Sequence, residues 1–195
     1  MEQSYEKAVR LIDQVNKKDP QMDEYAGEEN PKEYLYSLRM VAMLQKFRPD
    51  ADEAHLLAAR CLHLFRWEVP RSSYPHGKIG YLKWRTYLYT YQAEKAVALL
   101  ESAGYGGDVL DRVFAMVAKK NQKSNKDAQL IEDVSCLVFL QYYAESFAVR
   151  YADDLPKLMD IVKKTWNKMS DGGRNFAIHL DLSADLLHLL QKAMC

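Results

Sequence analysis

Between Arg60 and Arg85 the chain reads RCLHLFRWEVPRSSYPHGKIGYLKWR, with six Lys/Arg and two His around the single carboxylate of Glu68. The rest of the 195-residue chain balances it, since 27 Lys+Arg against 27 Asp+Glu give a formal net charge of +0. Such asymmetry in a neutral protein focuses positive potential on one region, and guanidinium forks match phosphate or carboxylate oxygens two at a time. The chemistry expected is anion capture. Arg66, Arg71 and Arg85 would form the clamp beside Trp84, with His63 as general acid/base or metal ligand. Glu68 would either order those arginines or act as a catalytic carboxylate. Taken singly, each Arg reads as a surface residue covering Trp67 or Trp84; the three together read as a pocket.

Three other polar placements are hard to explain by core packing alone. Tyr36 and Arg39 are three residues apart, neighbours on one helical face in the otherwise apolar YLYSLRMVAM. Arg60 and His63 repeat that spacing. Asp133 shares a helical face with Leu130, Val134, Leu137 and Leu140, where an unpaired charge is costly, so it needs a cationic, metal or hydrogen-bonding partner. These groups are expected to converge, and a carboxylate beside His63 would raise the pKa of the imidazole.

The elements that must position them are helical. Glycines and prolines are few and fall between long stretches of 3.6-residue period. Helices are expected over about 2–18, 31–47, 50–65, 80–102, 108–120, 125–151, 155–169, 173–178 and 184–194. Asn30-Pro31 reads as a cap followed by proline at the first helical position, and Asp50-x-x-Glu53 as a capping-box variant. Asn125 and Ser183 read as further N-caps. Residues 21–29 read as a polar connector and 67–78 as a loop over the pocket. The alternation of Tyr87, Tyr89 and Tyr91 is a strand-like period inside a helical segment. The fold class is all-α, one compact helical domain over 1–195 with about eight or nine helices.

Neutrality removes the electrostatic drive for coating nucleic acid, and no apolar run approaches a membrane span. With no apolar leader after Met1, a cytoplasmic protein is expected. Cys61, Cys136 and Cys195 show no C-x-x-C spacing, and the first two lie in apolar segments as core thiols would. His76, in a Pro-Gly loop, and the lysines of KKNQKSNK read as exposed. No Gly-rich phosphate loop, nucleophile elbow or zinc-type spacing is present.

The succession YSLRMV, AARCLH and EDVSCLVFL resembles the frame of the HD-domain superfamily of metal phosphohydrolases. That resemblance implies an HD-domain-like bundle with a divalent metal, His63 matching the His of the His-Asp pair and Asp133 the distant Asp. Tyr36 stands where the first His is expected and Leu64 where the paired Asp is expected; Glu68, Glu132 or His76 would have to complete the set. Over nearly its whole length the chain is also similar to the family of domain of unknown function 4202, through YSLRM, RWEVPRSSYP, GYLKWR and IEDVSCLVFL. In that family a His often occupies the position of Gln92, so the resemblance implies a pocket that lacks one of its polar groups here, with Gln92 in its place.

The function expected is binding of a small phosphorylated or carboxylated metabolite, nucleotides included, with hydrolysis as its catalytic form. Tyr36, Arg39, Arg60, Arg66, Arg71, Trp84, Arg85 and Gln92 would hold the ligand. His63, Asp133 and Glu68 would do the chemistry, His63 and Asp133 also as the metal ligands. The alternative is an inactive HD-like relative that senses a ligand or docks a protein.

Overall fold

The computed structural model describes residues 2–121 and 124–194. Among them the regular structure is almost wholly α-helical, ten α-helices accompanied by one two-stranded sheet. The chain gathers into two compact units, Met1–Ile131 and Glu132–Cys195.

In the first unit, α1 (Glu2–Asn16), α2 (Lys32–Phe47), α3 (Glu53–Cys61), α4 (Lys78–Ala103) and α5 (Asp108–Val117) lead to the start of α6 (Lys126–Tyr142). The sequence EAHLLAARC is apolar on nearly every side, so α3 is surrounded: α1, α2, α4 and α5 all pack on it. Ile12, Met40, Leu44, Leu57, Leu88, Leu100 and Met116 are fully buried. Cys61 and Cys136 are buried free thiols, as core residues should be, and burial pushes the Cys61 thiol up to about 12. Cys195 lies outside the described residues, as do Gln122 and Lys123 of KKNQKSNK.

Residues 21–29 are more than a connector. Strands β1 (Met22–Tyr25) and β2 (Glu28–Pro31) form an antiparallel hairpin in which Asp23 faces Asn30 and Tyr25 faces Glu28. Ala26 (φ 54°) and Gly27 (φ 82°) make the two-residue turn with both residues left-handed, which matches strand twist. Strands this polar carry no alternating pattern, so nothing in the sequence announces them. The hairpin takes Asn30 away from its expected capping role. Asp19 replaces it, accepting from Gln21 N at 2.9 Å and Glu33 N at 3.0 Å at the start of α2. Asp52, two residues past the expected Asp50, caps α3 through His55 N at 3.2 Å, while Asp50 pairs with Arg48.

The Tyr-rich segment is helical throughout: α4 spans 26 residues and ends on left-handed Gly104. Its Tyr alternation is not a sheet face: Tyr89 accepts from Arg85, Tyr91 donates to Glu68, and Tyr87 packs its ring on Tyr74 and Tyr91. In the second unit, α6 continues to Tyr142 and is followed by α7 (Ala144–Arg150), α8 (Leu155–Lys168), α9 (Asp171–Ala177) and α10 (Ala184–Met194). The single helix expected to 151 is interrupted where Tyr143 leaves helical geometry at φ −126°, with no Pro or Gly to mark it. Asn125 does cap α6, accepting from Asp127 N and Ala128 N, and Ser183 caps α10 through Leu186 N.

Candidate functional site

His63 lies in the turn after α3, and its ring stacks on Tyr36 of α2 with centroids 4.2 Å apart and 13° between planes. One helical turn before Tyr36, Glu33 presents its carboxylate on the same face, and Oε2 stands 3.0 Å from His63 Nδ1. On the other side of the ring, Arg66 Nη1 stands 3.0 Å from Nε2. A carboxylate only accepts and a guanidinium only donates, so these neighbours fix the tautomer: Nδ1–H donates to Glu33, and Nε2 accepts from Arg66. Arg66 can reach back because Phe65 takes a left-handed conformation, φ 58°, reversing the chain within three residues. A bulky aromatic in that region is strained, and such strain persists only where its surroundings enforce it.

The electrostatics follow from this bracket. Burial lowers the His63 pKa, Glu33 partly opposes that, and the guanidiniums of Arg66 and Arg85 lower it further, leaving it at about 4. The direction is opposite to the one expected from a carboxylate neighbour alone, because cations and desolvation outweigh it. Glu33 is itself nearly inaccessible, its side chain 8% exposed. Burial pushes its pKa up, but His63, Arg66 and Lys32 together hold it below the ordinary carboxylate range. At neutral pH the pair is therefore an anionic Glu33 and an uncharged His63 whose side chain remains 23% exposed.

Arg66 has two further contacts besides Nε2 of His63. Its guanidinium lies 5.1 Å over the Trp84 ring, and its Nε is 3.7 Å from Glu33 Oε1. Trp84 is anchored in turn by donating Nε1–H to Val69 O at 2.8 Å. Arg85, on the next position of α4, donates to Tyr89 Oη at 3.2 and 2.6 Å. Tyr36, His63, Arg66 and Trp84 are thus brought into one cluster, with Arg85 close enough to influence the imidazole.

The remaining candidates have other partners. Arg60 makes a two-pronged ion pair with Asp13 of α1, Nε and Nη2 each 2.8 Å from a carboxylate oxygen. Arg39 pairs with Asp23 of the hairpin at 3.1 Å and lies over the Tyr25 ring. Glu68 accepts the hydroxyl of Tyr91. Gln92 is buried on α4, 3% exposed, and its Nε2 has no hydrogen-bond partner among the described residues. In the second unit, Asp133 opens α9: Oδ1 accepts Ser170 N at 2.7 Å and Oδ2 accepts Ser170 Oγ at 2.5 Å. Ser170 Oγ then caps the helix by accepting Gly173 N at 3.1 Å. The hydrogen-bonding partner that Asp133 required is a helix terminus.

This donor set does not fit the divalent metal implied by the HD resemblance. Nε2 of His63 faces a guanidinium, both oxygens of Asp133 are engaged by Ser170, and no group of three or more His, Cys, Asp or Glu among the described residues is arranged to hold a metal.

A family model described as domain of unknown function (DUF4202) matches residues 6–190. The chain belongs to that family. No curated protein and no solved structure matches it. The stretch RWEVPRSSYP, which carries the DUF4202 resemblance, folds as two short 3-10 turns, Arg66–Glu68 and Arg71–Ser73. Arg71 is their internal staple, donating to the carbonyls of Tyr74 (2.9 Å), Pro75 (2.9 Å) and Gly77 (3.3 Å). Gly80 completes the DUF4202 loop because a Cβ there would sit 1.9 Å from Pro75 O.

Two groups in this DUF4202 chain escaped sequence reasoning. Glu33 looks like an ordinary acidic residue of a first helical turn; its spacing of three from Tyr36 was the available signal. A second network joins Asp52, His55, Arg112 and Asp127. Arg112 reaches both carboxylates at 2.8 Å, and His55 lies between them, Nδ1 2.7 Å from Asp52 and Nε2 3.1 Å from Asp127. It ties the starts of α3 and α6 to α5.

Proposed function

We propose that the Glu33–His63–Arg66 cluster is the binding site for a small phosphorylated or carboxylated metabolite, nucleotides included, and that the protein senses this ligand. One observation carries the reading: Arg66 is anchored by stacking on Trp84 and by donation to an uncharged imidazole, and its one ion pair among the described residues is the long contact with Glu33 Oε1, 3.7 Å from Nε. Its charge is available to an anion, which would be the better acceptor. Arg85 adds a second cation on the same helix as Trp84, and Tyr36 buttresses the imidazole.

Sensing is preferred over metal-dependent hydrolysis because no group of three or more His, Cys, Asp or Glu among the described residues is arranged to hold a metal, and because an imidazole with a pKa of about 4 is a weak base at neutral pH. The Glu33–His63 pair favours a second reading, hydrolysis without metal. Once an anion has drawn Arg66 aside, Nε2 would take the proton of an attacking water as the leaving oxygen departs and is protonated from solvent, with Glu33 holding the ring.

Thermal-shift titration with inorganic phosphate, nucleotides and sugar phosphates tests binding. Stabilisation in wild type that is lost in Arg66→Met supports the site; no stabilisation by any of them removes it. Single-turnover assay of the stabilising compound separates the two readings, since cleavage abolished by His63→Gln would replace sensing with hydrolysis.

A further inference from the structure

The side of α4 turned away from α1, α3 and α5 carries a stripe of exposed residues recurring every three to four positions. A shallow groove of about 670 Å³ runs along it past Lys83, Tyr87, Thr90 and Glu94. Ile79 is 75% exposed and Tyr87 48% exposed, an apolar load that a solvated helix face does not ordinarily carry. The order of residues along the stripe is informative. Cationic Lys83 lies in the first half, anionic Glu94 in the second, and uncharged Thr90 and Tyr87 stand between them.

We propose that the chain self-associates through this face, two copies of α4 packing antiparallel about a two-fold axis that passes between residues 88 and 89. Residues equally distant from that axis then meet across the interface, as in any isologous contact. Lys83 of each copy meets Glu94 of the other, exposed Ile79 meets exposed and small Ala98, and Tyr87 meets Thr90. One axis satisfies all three matches. A parallel arrangement would stack Lys83 on Lys83 and Glu94 on Glu94, which like-charge repulsion opposes. Lys83 and Glu94 of one copy lie eleven residues, about 16 Å, apart along the helix, so the two symmetric ion pairs bracket the uncharged centre. This surface is independent of the Glu33–His63–Arg66 cluster.

Sedimentation velocity of the full chain over a concentration series provides the test. Wild type is expected to show a reversible monomer–dimer equilibrium. K83E and E94K each convert two attractive contacts into two repulsive ones and should weaken the dimer roughly tenfold or more. The charge-swapped K83E/E94K protein should recover it. Circular dichroism verifies that each variant keeps its helical content, and Thr90→Arg provides a second disruption at the centre. A wild type that stays monomeric over the whole series overturns the proposal, as does a dimer indifferent to all of these substitutions or a double swap that fails to restore association.

Discussion

Glu33 Oε2 and His63 Nδ1, thirty residues apart in the chain, stand 3.0 Å apart, and this single contact orients the imidazole and fixes which of its nitrogens carries the proton. With Arg66 on the opposite nitrogen, the ring is held uncharged between an anion and a cation. Several measurable properties depend on that bracket.

The first is the dependence of stability on pH. His63 has its pKa depressed from the ordinary 6.5 to about 4 in the folded chain, so between these values the unfolded state binds a proton that the native state refuses. Stability conferred above pH 6.5 is therefore lost as pH falls toward 4, by at most about 3 kcal/mol. Glu33, held below its ordinary 4.5, adds loss in the same direction at still lower pH. Urea denaturation at pH 7 and pH 5 should show a smaller difference in His63→Gln than in wild type.

Arg66→Met removes the cation facing Nε2, and the His63 pKa should rise. NMR titration of the ring protons reads this directly. The same variant should bind phosphate-bearing ligands at least about tenfold more weakly, the equivalent of one lost charge-assisted hydrogen bond. An unchanged titration curve would count against the contact between Arg66 and Nε2.

Asp133 is predicted to matter for stability and not for the ligand. Gly173→Ala would put a Cβ 2.9 Å from the Asp133 carboxyl carbon and Oδ1, a clash worth about 1–3 kcal/mol. Asp133→Ala strips the bonds to Ser170 at a cost of about 1–3 kcal/mol. Both variants, assayed at a temperature where they remain folded, should bind phosphate compounds as wild type does. Loss of binding without loss of stability in Asp133→Ala would move this residue into the site.

Arg60 and Asp13 form a mostly buried pair, their side chains 11% and 19% exposed. Arg60→Ala leaves a carboxylate in apolar surroundings and should cost about 3–5 kcal/mol, whereas replacing both partners by Met and Leu should restore most of that. Thermal unfolding of the two variants side by side makes the comparison.

Gly80→Ala cannot coexist with the present position of Pro75 O. The loop from Arg66 to Gly77 must shift, releasing Trp84 from Val69 and loosening Arg66. Faster amide exchange over that loop and weaker ligand binding, with helical content kept, are the expected readouts.

The helices were legible because their signal is local. Apolar residues at three- and four-residue spacing, Gly104 after α4, and the side chains of Asn125 and Ser183 at N-caps each act within a turn or two of chain. The hairpin at Met22–Pro31 was not legible, since its strands are polar and its turn is Ala-Gly. The break at Tyr143 had no Pro or Gly to announce it.

Within the candidate site, residue types and short spacings alone pointed to His63, Tyr36, Arg66, Trp84 and Arg85. Tertiary structure decided the partners. It gave Arg60 to Asp13, Arg39 to Asp23, Arg71 to three loop carbonyls and Asp133 to Ser170, and it supplied Glu33 to the imidazole. The physical reason is range: a helical face is written in neighbours three or four residues apart, whereas the group that neutralises a buried charge comes from whichever distant segment packing brings within about 3 Å.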